Sequence, residues 1–146
     1  MITNVMMRRQ REECTRLRIT APNAGPASVH NLRHRLEVAL NAWGLESLTD
    51  TAGLLASEVL GNAVEHARGT GHEDSAPTLR LTVSLTCGKL LIEVGDPDEH
   101  LPCMRQAASD DENGRGMALL QALADKWGAE PMQGGKKVWF TLRLPG

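Results

Sequence analysis

The segment from Leu79 to Val94 constrains the fold more than any other part of the chain. Leu79, Leu81, Val83 and Leu85 alternate with Arg80, Thr82, Ser84 and Thr86, the two-residue period of a strand with one dry face. Cys87-Gly88-Lys89 then turns the chain into Leu90-Leu91-Ile92-Glu93-Val94. That run is apolar almost throughout, which places it more centrally in a sheet.

The flanking segments add helices. Residues 1–14 are polar and aperiodic and are expected to form a flexible arm ahead of one domain spanning 15–146. Thr15 to Thr20 alternates as a short strand, and Ala21-Pro22-Asn23-Ala24-Gly25-Pro26 breaks it. From Ser28 an apolar stripe through Val29, Leu32, Leu36, Ala39, Leu40 and Trp43 predicts a helix closed by Gly44. Ser47-Leu48-Thr49-Asp50 has the form of a capping box opening a second helix, which continues to about Arg68. Gly69-Thr70-Gly71 ends that helix, and a polar loop follows to Pro77.

After the hairpin, Gly95 to Gly114 reads as a long loop with an acidic stretch at Asp110, Asp111 and Glu112. Loops of that length in a compact domain are commonly functional lids. A third helix is expected from near Gly116, with Met117, Leu120, Leu123, Ala124 and Trp127 as its stripe. A segment to Met132, a Gly134-Gly135 turn and an alternating strand through Val138, Phe140, Leu142 and Leu144 close the chain. The order β-α-α-β-β-loop-α-β-β predicts an α+β two-layer sandwich rather than a parallel βαβ fold.

Composition bounds the function. With 146 residues and 41% hydrophobic content the chain suffices for one packed domain. Sixteen Lys and Arg against 18 Asp and Glu leave a formal net charge of -2. That balance argues against a general nucleic-acid binder. The N-terminal residues lack an apolar signal region and no run of about 18 apolar residues occurs, so neither secretion nor membrane insertion is expected. Cys14, Cys87 and Cys103 are scattered, without a CxxC pair, as in reduced cytoplasmic proteins.

On the second predicted helix, Leu55, Ala56, Val59, Leu60 and Ala63 fill one broad arc at about 100° per residue. Glu58, Asn62 and Glu65 fall together along one border of it. An oxygen from Asn62 suits Mg²⁺, and Glu58 suits orientation or deprotonation of a nucleophile. Taken alone, such a pair is more often a solvated helix face.

The stretch Ser57-Glu58-Val59-Leu60-Gly61-Asn62-Ala63-Val64-Glu65-His66-Ala67 resembles the N-box of the histidine-kinase-like ATPase superfamily. Three further segments agree in the same order. Leu91 to Asp96 resembles the strand running into the adenine-binding aspartate. Gly114-Arg115-Gly116-Met117-Ala118-Leu119-Leu120 resembles the glycine box after the ATP lid, and Gly134-Gly135-Lys136-Lys137-Val138-Trp139-Phe140 the turn into the final strand. The resemblance covers about Arg16 to Leu144. Within the superfamily the chain is similar to stand-alone anti-sigma-factor serine/threonine kinases.

That resemblance implies a mixed, mostly antiparallel sheet of the Bergerat type covered by helices on one face. It implies ATP and Mg²⁺ as cofactors, with Asn62 as the metal ligand and Glu58 as the catalytic residue. Asp96 would accept a hydrogen bond from the adenine N6 amine, while His66, Gly114, Arg115, Gly116 and Met117 would lie at the nucleotide. The implied partners are a sigma factor or an anti-anti-sigma (STAS-type) protein, with a homodimer as a possible assembly. A non-catalytic nucleotide-binding module that regulates a partner is the alternative. Two departures stand out: Asp96-Pro97-Asp98-Glu99-His100 replaces the DxGxG form, and Lys136-Lys137 stands where a small hydroxyl residue is common, removing one expected polar contact near the adenine.

Other signals are weaker. Gly114-Arg115-Gly116 lacks a preceding strand and a third glycine, so it is not a dinucleotide fingerprint. His30 and His34, four residues apart, are expected at the surface rather than on a metal. His66 is expected mainly as a half-buried packing residue, and the Met and Leu stripe after Gly116 as core.

Overall fold

The computed structural model describes residues 15–69, 78–96, 111–132 and 135–145, with side chains described for all of these except 66–69 and 111–116. The expected N-terminal arm, the centre of the expected lid and Gly134 lie outside the described residues. The elements run β1 (Arg16–Ala21), α1 (Pro26–Ala42), a 3-10 turn (Glu46–Leu48), α2 (Thr49–Gly69), β2 (Leu79–Thr86), β3 (Lys89–Asp96), α3 (Asp111–Leu123), β4 (Lys126–Met132) and β5 (Gly135–Arg143). The strands form one sheet in the order β1-β2-β3-β5-β4. All four pairings are antiparallel, so the sheet is antiparallel throughout rather than mixed.

The hairpin expected from the alternation is present, and the apolar β3 is the central strand. Cys87 and Gly88 form its two-residue turn with φ of 47° and 77°, the left-handed pair that matches the twist of antiparallel strands. In β3, Leu90, Ile92, Val94 and Asp96 are buried while Leu91, Glu93 and Gly95 are half-buried. The buried set lies opposite Leu142, Phe140, Val138 and Lys136 of β5. Leu90, Ile92, Val94, Val138, Phe140 and Leu142 join Leu32, Leu36 and Leu40 of α1 and Leu55, Val59 and Leu60 of α2 in one core. Phe140, the only phenylalanine in the chain, is fully buried there. Each such side chain contributes about 1.5–3 kcal/mol through the apolar surface it removes from water.

Helix boundaries differ from expectation in four places. α1 begins at Pro26, because proline at a first helical position loses no needed donor, and the Gly25 amide donates to Ser28 Oγ at 3.1 Å. At its other end Gly44, with φ of 75°, sits beyond the helix, and the Leu45 amide donates to the Leu40 carbonyl at 2.8 Å, a Schellman closure. The expected capping box at Ser47 does not form. Ser47 lies within the 3-10 turn, and Thr49 starts α2 with its hydroxyl donating to Asn41 Oδ1 at 3.0 Å.

α3 begins at Asp111, five residues before the expected start. It also ends earlier: Trp127 belongs to β4, opposite Phe140, not to the helix. The chain leaves α3 as the Asp125 amide donates to the Thr141 carbonyl at 2.8 Å, a sheet-edge bond that no helical period encodes.

Candidate functional site

α2 carries the first half of the candidate site. Leu55, Ala56, Val59, Leu60, Ala63 and Val64 are buried, and Glu58 and Asn62 sit half-buried on the border of that face, one turn apart. The third member of the polar arc, Glu65, is exposed. Beside Glu58, Ser57 Oγ is buried and has no hydrogen-bond partner among the described residues. α2 packs against both β3, the central strand, and α3.

The second half lies at the end of β3. Asp96, the last residue of the strand, faces Lys136 of β5 in direct register. Both share the side of the sheet that holds Val94 and Val138. Their side chains are 2% and 4% exposed, and Lys136 Nζ lies 4.0 Å from Asp96 Oδ2. A carboxylate this deep requires a compensating charge or hydrogen bonds. The contact expected to be missing from β5 is therefore replaced by a buried ammonium. The signal was available in the period of two: if Val138, Phe140 and Leu142 point inward, so does Lys136.

The remaining expected residues divide. Met117 is buried in α3, next to Leu120 in the core. Gly114, Arg115 and Gly116 lie within the first turns of α3 rather than ahead of it. His66 lies on α2 in its last turn; its side chain and that of Arg115 are outside the described set. His30 and His34 are exposed, as expected. Among the described residues no three His, Cys, Asp or Glu side chains are grouped to hold a metal ion, and no helix is long and apolar enough to cross a membrane.

Two charged clusters lie elsewhere on the sheet. On the sheet side opposite Asp96, Lys137 Nζ lies 2.9 Å from Glu93 Oε2. That hydrogen bond raises the Lys137 pKa against a partly opposing desolvation. At the far end of β3, Asp125 Oδ2 meets Lys89 Nζ and Asp125 Oδ1 meets Arg143 Nε, each at 2.8 Å. The hydrogen bond from Lys89 is the main cause of a lowered Asp125 pKa.

A five-stranded antiparallel sheet with helices packed on one side, a polar pair on the central helix and a buried carboxylate at the end of the central strand define an ATPase-type nucleotide-binding fold. The family model for the histidine kinase-like ATPase domain matches residues 23–142, and the chain belongs to that family. It is 41% identical to an uncharacterized protein of Streptomyces coelicolor over 76 residues, covering 51% of this chain and 68% of the relative. Among solved structures, the RsbU and RsbW domains of a Mycobacterium tuberculosis protein superpose with a TM-score of 0.65 at 24% identity, over 88% of this chain and 32% of theirs. The SiaB-SiaC complex of Pseudomonas aeruginosa gives 0.64 at 14% identity, over 97% of this chain and 98% of the other. These two likenesses concern the fold, and the chain spans about a third of the mycobacterial one.

Proposed function

We propose that this chain is an ATP-binding, partner-switching regulator of the cytoplasm, which acts as an anti-sigma factor and phosphorylates a serine or threonine of an anti-anti-sigma antagonist. The observation that carries the reading is the buried Asp96 carboxylate at the end of β3, a strand packed against α2, whose border presents Glu58 and Asn62. Family membership supports nucleotide binding, and the fold shared with an RsbW domain and with SiaB supports a protein partner.

The donor set fits the expected cofactors. Asn62 would give Mg²⁺ one oxygen, leaving phosphate oxygens and water to complete its shell, the usual arrangement for this ion. Bound Mg²⁺ would neutralise charge on the triphosphate. Glu58, one turn away and half-buried, would accept the proton of the attacking hydroxyl. Asp96 would accept from the adenine amine. The absence of side chains at Gly114 and Gly116, in the first turns of α3, would let phosphate approach the backbone near the positive end of the helix dipole. A phosphate placed on the antagonist would change its charge by nearly two units and so loosen or tighten the interface.

A second reading, regulation by nucleotide-dependent binding without phosphotransfer, is favoured by Asp96-Pro97-Asp98, which replaces the glycines expected after the aspartate. Calorimetric titration with Mg·ATP tests the premise common to both, and absence of binding at millimolar ATP would reject both. Incubation with labelled ATP and candidate STAS-type proteins separates them. Transfer of label supports the kinase, and bound ATP without transfer supports the module.

A further inference from the structure

The two edges of the sheet are unlike. β4 closes one of them with Pro131 in the strand and Gly128 beneath the Trp139 ring. Proline at an edge removes a donor that an added strand would need. β1 ends the other side, and among the described residues no strand pairs with its outer edge. Its six residues, Arg16–Ala21, include neither proline nor glycine, so the backbone offers donors and acceptors in regular order.

The two faces of β1 carry different chemistry. Leu17, Ile19 and Ala21 stand opposite Val83, Leu81 and Leu79 on the core side. Ile19 is buried, while Leu17 and Ala21 are half-buried at the margin of the core. On the other face Arg16, Arg18 and Thr20 stand opposite Ser84, Thr82 and Arg80. All three arginines are exposed, and they form no ion pair among the described residues. Neither β1 nor β2 contains an acidic residue.

We propose that the outer edge of β1 docks an extended acidic segment of another protein, in which Asp or Glu alternates with an apolar residue. The segment adds as a strand, its main chain pairing with that of β1. With a period of two, its carboxylates fall beside Arg16 and Arg18, and its apolar residues beside Leu17 and Ile19. Arginine suits this role better than lysine, because its planar fork meets a carboxylate with two parallel hydrogen bonds. A second copy of this chain is the wrong occupant. Antiparallel self-pairing of β1 brings arginine against arginine, and like charges directly opposite destabilise a strand pair. Docking at this edge makes no use of the nucleotide residues on α2, on α3 and at the end of β3.

The probe is a fluorescein-labelled peptide of three Glu-Val repeats, titrated against the full chain by anisotropy. A peptide of the same composition with its glutamates and valines in two blocks, and one of three Lys-Val repeats, serve as comparisons. The alternating acidic peptide is expected to bind at least about ten-fold more tightly than either, and to slow amide hydrogen exchange along β1. Arg16→Glu combined with Arg18→Glu should weaken it by about ten-fold or more, since two attractive cross-strand pairs become repulsive. Absence of binding at millimolar peptide overturns the assignment, as does equal binding of the alternating and block peptides. Undiminished binding by the double variant, or exchange protection confined to other strands, overturns it too. A single-stranded oligonucleotide bound as tightly as the peptide would also overturn it, marking the arginines as a phosphate surface. The peptide comparison in the unmutated chain stands even if the double variant does not fold.

Discussion

Trp139 lies across Gly128: a Cβ built on Gly128 would stand 2.7 Å from Trp139 Cζ2. The two residues are register partners on β5 and β4, on the sheet side opposite Phe140. The indole fills the place where a side chain would otherwise project, and it covers backbone at the edge strand of the sheet. Gly128→Ala must therefore displace a ring, which costs about 1–3 kcal/mol. Urea unfolding should show the loss, and Trp139→Ala combined with Gly128→Ala should recover part of it. Full stability in the single variant would contradict the close approach.

The roles proposed for Glu58 and Asn62 are separable. Asn62→Ala should abolish the Mg²⁺-dependent part of ATP binding, so that titrations with and without chelator coincide. Glu58→Gln should leave ATP affinity within a few-fold and lower label transfer by roughly 10²–10⁴-fold, the usual contribution of a general base. Undiminished transfer in Glu58→Gln would remove it from the mechanism.

Asp96 should set base choice. Asp96→Asn replaces a pure acceptor with a carboxamide that can also donate, so guanine becomes tolerable. The ratio of ATP to GTP affinity should fall by about ten-fold or more in this variant. Equal binding of ATP and GTP by the unmutated protein would contradict the assignment.

Asp125 should shape the acid limb of stability. Its folded pKa is held below the ordinary 3.8, chiefly by the hydrogen bond from Lys89. A depressed carboxylate stabilises the fold above its unfolded value, and that contribution is lost as the pH falls through the folded value. Unfolding midpoints of the unmutated protein should thus decline more steeply below pH 3.8 than those of Asp125→Asn. Parallel declines would show that the Lys89 and Arg143 contacts do not persist in solution. The pair is partly open to solvent, so raised salt should weaken the difference.

Phe140 is the other extreme of burial. Phe140→Ala should destabilise the domain by about 3–5 kcal/mol through the lost apolar contact and the cavity left behind. A shift in the urea midpoint without a change in slope would check it.

Several features were legible because their physics is local. The two-residue period of Leu79–Leu85, the left-handed turn at Cys87-Gly88 and the apolar run of β3 each rest on neighbours in sequence. The same holds for the helical stripes of α1 and α2 and for the border position of Glu58 and Asn62. The histidine-kinase-like pattern was likewise carried by short segments, Ser57–Ala67 and Leu91–Asp96 foremost. Less legible were the ends of α3, where Trp127 fits a helical stripe as well as it fits a strand opposite Phe140. Periodicity cannot tell these apart when the deciding bond, from the Asp125 amide to the Thr141 carbonyl, spans distant residues.

By itself the sequence determined which residues are apolar, at what period, and where glycine and proline break them, and so the order of elements and the family. The tertiary structure alone decided what Lys136 faces. In sequence it is one of two adjacent lysines in a closing strand, the usual mark of a solvated surface. Antiparallel register places it opposite Asp96 and on the inner side, while Lys137 turns outward to Glu93. The period of two tells which of the two lysines turns inward, but the partner it meets depends on pairing between strands forty residues apart in the chain, the separation from Asp96 to Lys136. Local propensity carries no record of it, because strand propensity reflects the surface a side chain meets and not which strand supplies it.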